Sequence, residues 1–188
     1  ASGMCLILAY HRELCDETRA TISKLGIQDR VTCMTFHGLA TYCIGPTHDD
    51  VALVTWLDLL ESNGIDMDSI RRLDQIDNLL IDETQDFRPT FMRLIRAVVP
   101  MRDDVKFMVV GDERQMLYDY IEDDAADLTY LRDPHAHFHS NRPWSTTVLD
   151  ETHRLTPEIA CFVNAVCDSK IRSARRSIDQ PVRVLTTN

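Results

Sequence analysis

The sequence predicts an α/β fold built on a parallel sheet, and three observations lead there. Four short apolar runs, "CLILAY" (5–10), "VTCMTF" (31–36), "NLLIDE" (78–83) and "KFMVVGD" (106–112), do not alternate with polar residues. Strands buried on both faces have this pattern. Helix-period segments lie between the runs, the order expected of a three-layer α/β sheet. Three runs also end in polar clusters: Thr35-Phe36-His37-Gly38, Asp82-Glu83-Thr84-Gln85-Asp86 and Gly111-Asp112-Glu113-Arg114-Gln115. Parallel strands bring such ends to one edge, where ligands of open α/β sheets bind.

Each element has its own signal. Residues 12–25 carry Leu14, Thr18, Ile22 and Leu25 on one helical stripe, and residues 51–61 carry Val51, Val54, Leu57 and Leu60. Residues 88–99 open with Pro89 in a first helical turn and align Phe91, Leu94, Ile95 and Val98. Residues 120–146 read as irregular connection with one short helix. Strand character resumes in "TTVLDETHR", and Thr156-Pro157-Glu158 starts a helix with a hydroxyl N-cap, Pro at the first helical position and an acid in the first turn. A basic stretch (Lys170, Arg172, Arg175, Arg176) and a last strand at 182–185 follow.

Composition narrows the function classes. A chain of 188 residues, 44% hydrophobic and 27% charged, holds one sizeable core or one domain and the start of another. No apolar run approaches the roughly 20 residues of a membrane span. The opening "ASGMCLILAY" lacks a basic leader region, which argues against a signal peptide. Six cysteines without a CxxC pair suit buried, reduced thiols in an intracellular protein, cytoplasmic or nuclear. The net charge of -10 argues against coating nucleic acid by bulk electrostatics and leaves room only for a local groove. His135, His137 and His139 alternate as strand-face metal ligands would. A Pro-flanked loop without cysteine or carboxylate partners argues against a metal there.

The strand-end acids fit nucleotide hydrolysis. An acid at a strand end can hold Mg²⁺ through water, a neighbouring carboxylate can polarise the attacking water, and an amide can sense the terminal phosphate. Asp82, Glu83 and Gln115 fit these roles in that order.

Together, "LLIDETQDF", "VVGDERQMLYDY" and "LDETHRLTPEI" resemble the ordered DExQD, GDxxQxIY and NYRSTPEI-like motifs of UvrD/PcrA-like superfamily 1 helicases. "AYHRELCDETRATI" and "MTFHGLA" resemble two upstream segments of the same family. The resemblance implies a RecA-like, P-loop NTPase-type sheet flanked by helices. Residues 1–146 would be a partial first motor domain with a short insertion around 45–77, and residues 147–188 the start of a second motor domain or a packing extension. It implies that Asp82 supports Mg²⁺, Glu83 is the catalytic base and a metal neighbour, and Gln115 contacts the γ-phosphate of ATP. Arg154 would reach that phosphate from the second motor domain. Tyr10, His11, Thr35, Phe36, His37, Tyr118 and Tyr120 fall in segments that in the family touch single-stranded DNA. Aromatic rings suit that contact, since stacking a base is worth about 1–3 kcal/mol without sequence preference.

The sequence also departs from the family. The phosphate loop GxxxxGK[ST] is absent, and no Gly-Lys pair occurs. Later motor motifs are missing, His153 replaces a tyrosine, and "YDYIEDDA" replaces a more basic segment. These 188 residues alone are therefore expected to be inactive, with the remaining helicase domains or a partner chain supplying the phosphate loop. A second reading, a degenerate helicase-like binding or scaffolding module without ATPase activity, stays open. A third, an unrelated Mg²⁺ phosphohydrolase on Asp82 and Glu83, leaves Gln115 and Arg154 unexplained.

Overall fold

The structure is a computed structural model and describes residues 3–47, 49–62, 70–99, 102–117, 124–138 and 143–177. Two units divide the chain, Ala1–Pro143 and Trp144–Asn188.

In the first unit, β1 (Met4–Ala9), β2 (Val31–Thr35), β3 (Ile76–Ile81) and β4 (Lys106–Val109) form a four-stranded sheet in the order β2-β1-β3-β4. Every pairing is parallel, with Ala9 beside Thr35, Leu8 beside Ile81 and Ile81 beside Val109. The predicted fold class is thus observed, a parallel sheet flanked by helices. One face presents Leu6, Leu8, Leu79 and Ile81, all fully buried. On the other, α1 (Arg12–Lys24) lays Cys15 and Ile22 against Ala9 and Cys33, with Ile7, Leu14 and Val31 at the margin. β4 departs from the expectation of burial on both faces, since Lys106 and Met108 are exposed.

The helices test the periodicity argument. α4 (Pro89–Val98) buries Phe91, Leu94, Ile95 and Val98, as the stripe predicted, with Pro89 in its first turn. α3 (Asp50–Glu61) occupies the predicted span but buries Leu53 and Leu57, while Val51 is exposed. Leu25, expected on the α1 stripe, lies past the helix as its exposed C-cap. α2 (Phe36–Ile44) was not foreseen: Phe36, read as strand, begins this helix, and Thr35 caps it with a side-chain oxygen that accepts from the Gly38 amide. The stretch read as irregular holds two single-turn helices, α5 (Thr129–Arg132) and α6 (Pro134–His137). His137 therefore sits on a helical turn, its Nε2 2.7 Å from the Thr129 hydroxyl, and His139 lies outside the described residues.

The second unit holds β5 (Glu151–Thr152) paired in parallel with β6 (Arg172–Ser173), and α7 (Pro157–Cys167). Only two residues of "TTVLDETHR" are strand. Asn164 knits the unit, donating to the Ile171 carbonyl and accepting from the Ile171 amide and the Ser169 hydroxyl. Arg172 pairs with Asp150 at 2.9 Å. Thr156 occupies the N-cap with Pro157 at N1, but its buried hydroxyl makes no capping bond, contrary to the sequence reading. All six cysteines are free; Cys15, Cys33 and Cys43 are buried as expected, whereas Cys161 and Cys167 are exposed on α7. The strand predicted at 182–185 lies outside the described residues. No helix among the described residues is long and apolar enough to cross a membrane.

Candidate active site

β3 ends between β1 and β4, and its backbone remains paired with both one step beyond the strands. The Asp82 amide donates to the Leu8 carbonyl at 3.0 Å, the Val110 amide to Ile81 at 2.9 Å, and the Thr84 amide to Val110 at 2.9 Å. A tight turn then carries the acids. Glu83 takes a left-handed backbone conformation (φ 53°, ψ 44°). A non-glycine residue held there costs on the order of 1–3 kcal/mol, which the surrounding bonds must offset. They do so: Thr84, Gln85, Asp86 and Phe87 are all buried, the Thr84 hydroxyl donates to Ile81, and Asp86 Oδ1 accepts from the Leu117 amide at 2.7 Å.

The two carboxylates differ. Asp82 is half-buried, and its Oδ1 accepts from the Glu83 amide at 2.9 Å. Burial raises its pKa above the ordinary aspartate range; the amide opposes this, and the nearby Glu83 charge adds to the rise. Glu83 Oε2 accepts from Gln85 Nε2 at 2.6 Å. Gln85 Oε1 accepts in turn from the Asp112 amide at 3.1 Å, linking this turn to the one after β4. There Asp112 caps a single 3-10 turn, Glu113–Gln115, with Oδ1 accepting from the Arg114 amide. Gln115 Nε2 folds back to Asp112 Oδ2 at 2.8 Å.

Asp82, Glu83 and Gln115 therefore share one edge of the first unit, on neighbouring strand ends. Arg154 belongs to the second unit, where its side chain is exposed and its carbonyl accepts from Arg175 Nη1 at 3.0 Å. Sequence reasoning gave no role to Gln85 or Asp86, although both stood in the motif; their partners lie 27 and 31 residues away.

The segments expected to touch DNA are mixed. Tyr10 is half-buried at the end of β1, edge-on to Phe91 at 5.9 Å, and His11 beside it is exposed at the start of α1. The Thr35 hydroxyl is engaged as the α2 cap. Phe36 is corrected from a stacking surface to a core residue: it is 2% exposed and its ring lies flat on Phe91, centroids 4.2 Å apart. His37 stays partly open but sits 2.8 Å from Asp50 Oδ1. Asp50 also pairs with Arg88 at 3.0 Å, and Arg88, 5% exposed, reaches Asp124 at 3.2 Å while lying 4.4 Å over the Phe91 ring. This support for His37 was missed because Arg88, Asp50 and Asp124 carry no motif. Tyr118 and Tyr120 lie outside the described residues.

A family model for the AAA domain matches residues 6–120, more than half of the chain. The chain belongs to the AAA domain family. No curated protein matches it. The AAA match runs from β1 past the turn that carries Gln115, so it contains Asp82, Glu83 and the Gln85 link. Membership makes this a P-loop NTPase-type domain and implies nucleotide and Mg²⁺ use in general. The donor set of the AAA edge fits that ion. Mg²⁺ is a hard cation that takes one or two carboxylates, waters and substrate phosphates, with no need of a protein cage. Asp82 and Glu83 supply such oxygens, and no cluster of three or more metal-ligating side chains occurs among the described residues.

Proposed function

We propose that this chain is part of an ATP-dependent, UvrD-like superfamily 1 DNA helicase, coupling ATP hydrolysis to movement along single-stranded DNA and duplex unwinding. The observation that carries it is the hydrogen-bonded junction of the two turns, which sets Asp82, Glu83 and Gln115 on adjacent parallel strand ends. Mg²⁺, when bound, would neutralise phosphate charge. Asp82 would hold it through water. Glu83 would take the proton of the attacking water. Gln115 would sense the terminal phosphate and pass its presence to the DNA path, and Arg154 would supply the cation that the family resemblance implies. Tyr10, His11 and His37 would offer a partly open surface for single-stranded DNA, and Tyr118 and Tyr120, which follow Gln115 in the sequence, are proposed to share that role. Phosphate-cradling amides and a lysine would come from the remaining helicase domains or a partner chain, since GxxxxGK[ST] is not in these 188 residues.

The test is DNA-stimulated ATP hydrolysis by the whole protein that carries this chain. Glu83→Gln is expected to lower kcat by about 100-fold or more while nucleotide binding persists. A whole protein that turns over no ATP with single-stranded DNA present would refute the reading. The alternative is a helicase-like binding or scaffolding module without ATPase activity. DNA binding that is insensitive to nucleotide, with no hydrolysis, would establish that alternative instead.

A further inference from the structure

A buried carboxamide must satisfy both its oxygen and its NH₂ group. Gln85, 1% exposed, does so across two turns: Nε2 donates to Glu83 Oε2 and Oε1 accepts from the Asp112 amide. Only a side chain that donates at one end and accepts at the other can make this bridge. A glutamate would keep the acceptor for Asp112 but press an oxygen against Glu83 Oε2. Gly111 leaves the space the bridge occupies. A Cβ there would lie 2.5 Å from Gln85 Oε1 and 3.1 Å from the Thr84 and Gln85 backbone nitrogens.

We infer that Gln85 is a positioning residue for the hydrolytic base, fixing one carboxylate oxygen of Glu83 and tying it to the turn that carries Gln115. This rests on Glu83 being the base, as proposed above. The reaction then uses the other oxygen. A water O–H bond breaks as its proton passes to Glu83 Oε1, and the water oxygen bonds the terminal phosphorus. The phosphorus–oxygen bond to the diphosphate breaks, its electron pair staying on the leaving oxygen. Any shift of the Asp112–Gln115 turn on meeting a phosphate is transmitted through the Gln85 amide to the orientation of Glu83.

Two measurements test the bridge. The first is steady-state ATP hydrolysis by the whole protein with saturating single-stranded DNA; the second is hydrogen exchange of the Asp112 amide in the 188-residue chain, read by NMR. Gln85→Glu is expected to lower kcat about 10- to 100-fold, with KM for ATP within about 2-fold and Asp112 protection kept. Gln85→Ala and Gly111→Ala should lower kcat similarly and speed Asp112 exchange by about 10-fold or more. Gly111→Ala alters neither Glu83 nor Gln85, so it carries the test even if a Gln85 variant unfolds. Wild-type kcat in Gln85→Glu overturns the positioning role, as does a raised KM with unchanged kcat. Unchanged Asp112 exchange in Gln85→Ala overturns the bridge. Wild-type turnover separates the two ideas: without any hydrolysis the helicase reading falls, while the exchange measurement still decides the bridge.

Discussion

The turns after β3 and β4 sit on neighbouring strand ends and are built in opposite ways. The first is anchored from inside: Thr84, Gln85, Asp86 and Phe87 are buried, and Phe87 meets Tyr130, Phe36, Phe91 and Phe138 at ring separations of 4.7 to 6.4 Å. The second is held from its surface: Asp112 caps Arg114 and binds Gln115, Glu113 pairs with Arg132 at 2.7 Å, and the Asp112 amide donates to Gln85, while residues 111–115 stay exposed. A strained Glu83 needs the first kind of support, because only surrounding structure that over-determines a left-handed residue keeps it there. A sensor needs the second, since segments that move come from the low-stability end of a structure. In the proposed reading the acidic turn is scaffold for a base, and the exposed β4 turn is the more lightly held side that responds.

Removing the Phe87 ring strikes hardest at that contrast. Phe87→Ala should cost about 3–5 kcal/mol in denaturant unfolding of the 188-residue chain, and a loss under about 1 kcal/mol would mean that the acidic turn is not anchored. Asp86→Ala leaves the Leu117 amide without its acceptor and should cost about 1–3 kcal/mol by the same measurement. Asp82→Asn sharpens the electrostatic side. Burial raises the Asp82 pKa in the folded chain, so the folded state holds the proton more tightly than the unfolded state. Stability from this group is therefore full at low pH and falls as pH rises from the ordinary aspartate range through the raised value. The asparagine variant keeps the oxygen that accepts from Glu83 and should melt higher than wild type at pH 7, the gain vanishing below the ordinary aspartate range. A gain that grew toward acid would reverse the sign. Gln115→Ala, on the exposed turn, should change unfolding stability by no more than about 0.5 kcal/mol. A larger loss would make the β4 turn scaffold too.

Much of this was legible in the sequence, for reasons particular residues make plain. The sheet strands were legible because their apolar runs do not alternate with polar residues, although β4 is partly exposed, and α4 because its apolar stripe is strongly periodic. α3 was placed correctly but its face only in part, since Leu57 is buried and Val51 is not: Val51, Leu53, Val54, Trp56, Leu57, Leu59 and Leu60 surround the helix, so spacing leaves its phase undecided. Phe36 followed a strand and read as its last residue; the Thr35 cap turned it into a helix and the Phe91 ring drew it into the core. The Gln85 link could not be read because its acceptor role depends on an amide 27 residues on.

The order and types of residues determined by themselves the strand–helix alternation, the parallel sheet and the acids at its carboxyl edge, because these follow from local spacing and short motifs. Only the tertiary structure decided which aromatic ring is core, which carboxylate Arg88 meets 38 residues away, and which amide joins Glu83 to Asp112. Burial and hydrogen-bond partnership are properties of what distant segments bring to a point, and no local pattern encodes them.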